Sequence, residues 1–326
     1  MNPQPVENLF HPVISPFDSS PPAPAGGNRR HEPLADLISA TPAANPTPFA
    51  LPSILPGESF LDYYGLSENP FADCVHPGFF FRTESHAEAF RSMMLAVEFN
   101  SSLGLVTGPS GTGKTLVSQL LLEHLDPAKY QVILVLVTPG LSKTGLLREI
   151  LSELNIALPA GINRVQDLIK LLSNHIIELH ERGLRLVMVV DECHLLDADC
   201  LHVIRTISNI EIPECKLTTS LLFGEARFSQ RLEHSSYESL RNRIYLRSQL
   251  LPLNASETGQ FVKYRLLVAG RMTDLFTPEA IEALQKHSGG VCRSLNKLCM
   301  LSLIEAAGRQ KPLVDAEIVT VCSSRM

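Results

Sequence analysis

From residue 103 onward, short apolar runs alternate with stretches whose apolar positions recur every three or four residues. The runs 103–107, 132–137, 186–190 and 217–223 predict strands. Another β-like stretch begins after Arg243. The intervening stretches 115–124, 143–154 and 165–182 predict helices. A helix is also expected over 85–100, with Ala89, Phe90, Met93, Met94 and Val97 on one face. Continuous apolar strands separated by helices indicate a parallel sheet covered on both faces. After residue 254 the strand pattern stops, and 255–269, 278–287, 292–308 and 313–321 read as helices. The expected organisation is an α/β domain over 58–253, opened by an aromatic segment, and a small all-helical domain over 254–326.

The first 57 residues are different, because they hold 13 of the 23 prolines. Prolines at that density remove amide donors and block helix and sheet, so a disordered tail is expected over 1–57. Two apolar islands, 34–38 and 49–55, leave open whether the tail is a spacer or folds onto a partner. The formal charge is −6, from 28 basic and 34 acidic residues, which gives no global attraction to nucleic acid. A local basic face stays open. The seven cysteines form no C-x-x-C pair, and a spacing of seven in Cys193/Cys200 and Cys292/Cys299 suits one helix face better than a metal site. Structural thiols in a reducing cytoplasm are expected. The N-terminus shows no signal-peptide pattern, and the longest apolar runs are too short to span a bilayer. A cytoplasmic location without a membrane span follows as an expectation.

Between the first predicted strand and the next helix stands Gly108-Pro109-Ser110-Gly111-Thr112-Gly113-Lys114-Thr115, a full match to G-x-x-x-x-G-K-[ST]. Glycines let such a loop curl so that backbone N–H groups face phosphate oxygens, and the helix start adds favourable dipole charge. Lys114 is expected to reach the β- and γ-phosphates of ATP, and the Thr115 hydroxyl to ligate Mg²⁺. The run Leu186-Val187-Met188-Val189-Val190 ends in Asp191-Glu192. Acids at a strand's carboxyl end lie where ligands bind in open α/β sheets. Asp191 is expected to hold Mg²⁺, and Glu192 to orient and activate the attacking water. The expected fold class is therefore α/β: a P-loop NTPase parallel sheet with helices on both faces, followed by a helical lid.

Several further residues have two readings each. His194 completes Asp-Glu-x-His, a tetrapeptide of some helicases, but no paired second helicase core is evident. It either couples the acids to a neighbouring segment or packs. Glu225, after the run 217–223, lies either near the γ-phosphate or in a solvated loop. An arginine of the pair Arg241 and Arg243 either projects to a neighbouring subunit's γ-phosphate or forms a surface salt bridge. Arg293, after Gly289-Gly290, either reports the γ-phosphate to the lid or starts a helix after an ordinary turn.

Taken in order, these parts resemble AAA+ ATPases of the secretion ATPase ExeA group, which is similar to the transposition ATPases TniB and TnsC and to the ORC/Cdc6 branch. The resemblance covers residues 60–308. It is carried by Tyr64-Gly65-Leu66 with Asn69-Pro70-Phe71, by the phosphate loop, by Val190-Asp191-Glu192-Cys193-His194, and by Gly290-Val291-Cys292-Arg293-Ser294-Leu295-Asn296. It implies ATP and Mg²⁺, homo-oligomers formed on ATP, Arg243 as an arginine finger and Arg293 as the lid arginine. Glu225 falls at the first-sensor position, where the group usually has Gln or Asn. Secretion members also carry a membrane span and a peptidoglycan-binding region, and neither is expected from this sequence. Three functions follow: a switch that recruits or remodels a partner protein, a transposition-type regulator on duplex DNA, or a scaffold that holds ATP without turnover.

Overall fold

The computed structural model describes residues 59–72, 77–159 and 161–326. The expectations for the tail 1–57 and for Cys74 lie outside these residues. The strands are β1 (Leu103–Gly108), β2 (Tyr130–Leu136), β3 (Arg185–Asp191), β4 (Thr218–Glu225) and β5 (Ile244–Gln249). They form one five-stranded sheet in the order β2-β3-β4-β1-β5, with every pairing parallel. Both β1 and β4 are central and buried along nearly their whole length, whereas β2 and β5 are edges with exposed positions.

The two-residue period of the strands sorts their side chains onto two faces. Leu103, Leu105, Leu186, Met188, Val190 and Leu222 meet α4 (Lys143–Glu153), α5 (Val165–Glu181) and α6 (Ala198–Ile207). The α5 stripe of Leu168, Leu172, Ile176 and Leu179 is a helical period facing that layer. On the opposite face Val106, Val187, Val189, Leu221 and Phe223 meet α2 (Glu84–Glu98) and α3 (Lys114–His124). Each fully buried aliphatic side chain here stabilises the fold by about 1.5–3 kcal/mol relative to exposure. The sheet is therefore covered on both sides, as the continuous apolar runs require.

A third core joins α9 (Ala255–Val268), α10 (Pro278–Ser288), α11 (Cys292–Gly308) and α12 (Ala316–Ser323). Their starts are written in the sequence. Asn254 and Glu257 form a reciprocal capping box, and Thr277 caps a helix whose first residue is Pro278. The aromatic segment around α1 (Phe60–Tyr64) also packs here, through Tyr63, Tyr64, Leu66, Phe71 and Phe79. The Tyr64 hydroxyl donates to Lys311 O at 3.0 Å, and Arg265 Nη1 donates to Pro70 O at 2.9 Å. The lead-in thus belongs physically to the helical layer, although it precedes the sheet in the chain.

Between β3 and β5 the chain also forms α6, α7 (Ala226–Leu232) and α8 (Glu238–Arg241). The shared helix face expected for Cys193 and Cys200 is absent. Cys193 lies in the 3-10 turn Cys193–Leu195 and Cys200 on α6, because Asp197 caps a new helix between them. Cys292 and Cys299 do share α11. The six cysteines among the described residues are all free thiols. No helix among the described residues is long and apolar enough to cross a membrane.

Candidate nucleotide site

The sheet's register brings the predicted residues together. Gly108 at the end of β1 pairs with Glu225 at the end of β4, and Asp191 ends β3 on the far side of β4. The loop 108–115, Asp191, Glu192 and Glu225 therefore meet at one edge of the sheet, the carboxyl ends of its strands. A cavity of about 300 Å³ opens there, lined by the loop from Ser110 to Thr115 together with Glu192, Arg293 and Asn296. That volume suits a small-molecule site.

Gly111 and Gly113 adopt the left-handed backbone, with φ of 80° and 96°. A Cβ on Gly111 would lie 2.7 Å from Arg293 Cβ, so glycine is needed both for the turn and for the lid's approach. Gly113 is the N-cap of α3 and supplies no side-chain cap, which leaves the first amides of the helix for an anion. Lys114 is 5% exposed, and its ammonium donates to Gly108 O at 3.1 Å and to Pro109 O at 3.0 Å. Burial pushes its pKa below the ordinary lysine value, while Glu192, Asp191 and Glu225 pull it back up.

The Thr115 hydroxyl donates to Asp191 Oδ2 at 2.9 Å, and Asp191 Oδ1 accepts the Glu192 N–H at 2.8 Å. One hydroxyl beside one carboxylate fits Mg²⁺, an oxygen-seeking ion that completes its shell with phosphate and water. Among the described residues no three His, Cys, Asp or Glu form a metal cluster of their own. Glu192 follows directly, in a left-handed conformation with φ of 56°, and its side chain is 44% exposed on the cavity.

From the lid side, Arg293 donates its N–H to Gly111 O at 3.2 Å and its Nη1 to Ser110 Oγ at 3.3 Å. The start of α11 therefore rests directly on the loop. Gly290, with φ of 74°, makes this possible: its carbonyl accepts from Leu253 N at 2.8 Å, and any Cβ there would collide with Leu253 O.

Arg243 is elsewhere. It precedes β5, whose first residue pairs with the first residue of β1, so it lies at the sheet edge opposite the loop. Burial lowers the pKa of nearby Lys216, and the charge of Arg243 lowers it further. Arg241 is bound to Glu233, with Nη1 2.8 Å from Oε2. Neither arginine reaches the cavity of its own chain.

Phe80, Phe81, His86, Phe261 and Cys292 also line the cavity, and sequence reasoning missed all of them. His86 is the most telling. Its Nε2 lies 2.8 Å from Thr112 O, and its Nδ1 lies 2.6 Å from Thr83 Oγ1. Burial lowers its pKa, and the neutral ring donating from Nε2 satisfies both contacts. The available signal was Thr-x-x-His after three successive phenylalanines, at the start of a predicted helix.

Residues 97–232 match the family described as an AAA domain. The General secretion pathway protein A of Aeromonas hydrophila is 34% identical over 252 residues, which is 77% of this chain and 45% of that protein. The chain resembles AAA+ proteins of this secretion group. It spans less than half the length of this curated relative. Solved structures share the fold. The Cdc6p of Pyrobaculum aerophilum matches with a TM-score of 0.59 at 17% identity, over 78% of this chain and 70% of that one. The ORC2 protein of Aeropyrum pernix, solved as ADPNP–ADP complexes, matches with a TM-score of 0.58 at 14% identity, over 79% and 71%. The expected P-loop NTPase-like sheet and the resemblance to the ExeA group and the ORC/Cdc6 branch are thereby borne out.

Proposed function

We propose that this chain is an AAA+ ATPase that binds ATP with Mg²⁺ at residues 108–115 and hydrolyses it, using Glu192 as the base. On this reading it works as an oligomeric switch that recruits or remodels a partner protein. The observation that carries it is the convergence of Lys114, the Thr115–Asp191 pair and Glu192 on one cavity at the sheet edge.

In this mechanism the ammonium of Lys114 leaves the carbonyls of Gly108 and Pro109 and covers the β- and γ-phosphate oxygens. Thr115 and Asp191 hold Mg²⁺, which when bound neutralises phosphate charge. Glu192 accepts the proton of the attacking water. Arg293 stands at the junction of lid and loop, so the γ-phosphate changes how the lid sits. Arg243 faces away from its own cavity and acts only across a subunit boundary, on a second copy's γ-phosphate. The secretion relative favours a protein as the partner of the switch.

Assembly is the discriminating property. Light scattering of the full chain with ATP, with ADP and without nucleotide should show a larger species with ATP alone. Glu192→Gln should hold that species for far longer than wild type. A mass independent of nucleotide in both proteins would contradict the switch. A mass increase that required duplex DNA would make the partner a nucleic acid.

A further inference from the structure

We infer that His194 is a positioning residue: its imidazole braces the Glu192 carboxylate from the protein side and ties it to Glu225 on the neighbouring strand. The inference rests on the proposed role of Glu192 as base and explains what holds that base still.

The left-handed backbone of Glu192 turns the chain back on itself, and the 3-10 turn that follows carries His194 under the carboxylate. Nδ1 of His194 lies 3.2 Å from Glu192 Oε2. The His194 side chain is 5% exposed against 44% for Glu192, so the ring lies behind the carboxylate and the cavity in front of it. On its other side Nε2 lies 3.7 Å from Glu225 Oε1, and the Glu225 N–H points at Nδ1 from 3.4 Å. The second oxygen of Glu225 is 2.8 Å from Arg227 Nε. These contacts explain how an acid is tolerated at the end of β4. Its charge is engaged by Arg227, while Nε2 of His194 stays beyond hydrogen-bond reach of it.

Two features build the brace. Gly224 lets β4 approach the turn, since a Cβ there would lie 2.8 Å from Cys193 Sγ and 3.4 Å from His194 N. Arg231 of α7 donates to His194 O at 3.0 Å and to Leu196 O at 2.7 Å while lying over Phe228. The backbone of His194 is thus held independently of its ring. Substituting the ring removes the brace and leaves the turn.

The ring cannot serve all its neighbours at once. With a proton on Nδ1 it donates to Glu192. With a lone pair there it accepts the Glu225 N–H and turns an acceptor toward Glu192. Braced and released carboxylate are therefore alternatives, and the end of β4 sets the balance. A base must stay within hydrogen-bond reach of the water it deprotonates. A glutamate without its brace spreads over several rotamers. His194 does not line the nucleotide cavity, so losing its ring lowers turnover rather than nucleotide affinity.

The test is steady-state phosphate release by the full chain, with Glu192→Gln as reference. His194→Ala should lower kcat by about tenfold or more, with KM for ATP within about twofold of wild type. His194→Gln, which keeps a donor of similar reach, should recover part of the loss. Glu225→Gln should lose less than His194→Ala, and the double variant should be no slower than His194→Ala alone, because both break one chain of contacts. A wild-type kcat in His194→Ala, a change confined to KM, or additive losses in the double variant would overturn the brace. If His194→Ala melts early, His194→Gln and Glu225→Gln carry the same comparison. Turnover that survives in Glu192→Gln overturns the role of Glu192 and the brace with it. An inactive Glu192→Gln beside a fully active His194→Ala overturns the brace alone.

Discussion

The ammonium of Lys114 has lost nearly all its water and holds two loop carbonyls, with three carboxylates close enough to support its charge. A buried cation with so little solvation gains strongly from a phosphate. Lys114→Ala should therefore weaken ATP binding by more than about tenfold. Fluorescent-nucleotide titration checks this, and wild-type affinity in the variant would remove Lys114 from the phosphate contact. At this scale, legibility followed contiguity. Gly108 to Thr115 and Asp191-Glu192 are short strings whose chemistry depends on neighbours in sequence. The contact from His86 to Thr112 spans 26 residues, and His194, which Asp-Glu-x-His left between coupling the acids and packing, meets Glu225 from another strand end, so their local patterns did not name the partners. The sequence left Glu225 between a place near the γ-phosphate and a solvated loop, and did not show that Arg227 engages its carboxylate.

Long periodic segments were the readable elements. The stripe of α5 and the buried strands β1 and β3 show their partners through spacing alone, and no boundary of theirs moved by more than one residue. The helix α6 escaped because it is 10 residues long and begins just after the acidic turn, although its apolar positions have helical spacing. The four-residue α8 is too short to have a period. The link between lid and sheet depends on one residue. Gly290 combines a positive φ with backbone closer than any side chain allows, so Gly290→Ala must strain the junction. The expected loss is about 1–3 kcal/mol. Thermal unfolding should show a drop of several degrees, with weaker ATP binding as Arg293 shifts off the loop. An unchanged melting temperature together with unchanged affinity would contradict the junction as described.

Across the whole molecule the chain closes on itself: the aromatic lead-in packs into the lid, and the lid rests on the loop. Sequence order concealed this closure, because Tyr64 and its partner Lys311 are 247 residues apart. Arg243 is the clearest large-scale feature. It stands at the opposite sheet edge from the loop, about 15 Å away at roughly 3.3 Å per strand residue. On the proposed reading, an arginine so placed serves hydrolysis through a neighbour. Arg243→Ala should bind ATP normally and turn it over slowly. Mixed with Lys114→Ala it should recover activity, because a Lys114→Ala subunit still lends Arg243 to an intact site. The check is phosphate release across a range of mixing ratios. Absence of recovery, together with wild-type activity independent of protein concentration, would argue for a self-contained site.

The claim beneath all of this is that one cavity both binds and hydrolyses ATP. The direct measurement is paired ATP binding and phosphate release on purified wild type and Glu192→Gln, with Mg²⁺ present. Wild type should bind ATP and release phosphate, while the variant should bind ATP as tightly and release phosphate at least about a hundredfold more slowly. Equal phosphate release from the two proteins, or none from wild type, would contradict it.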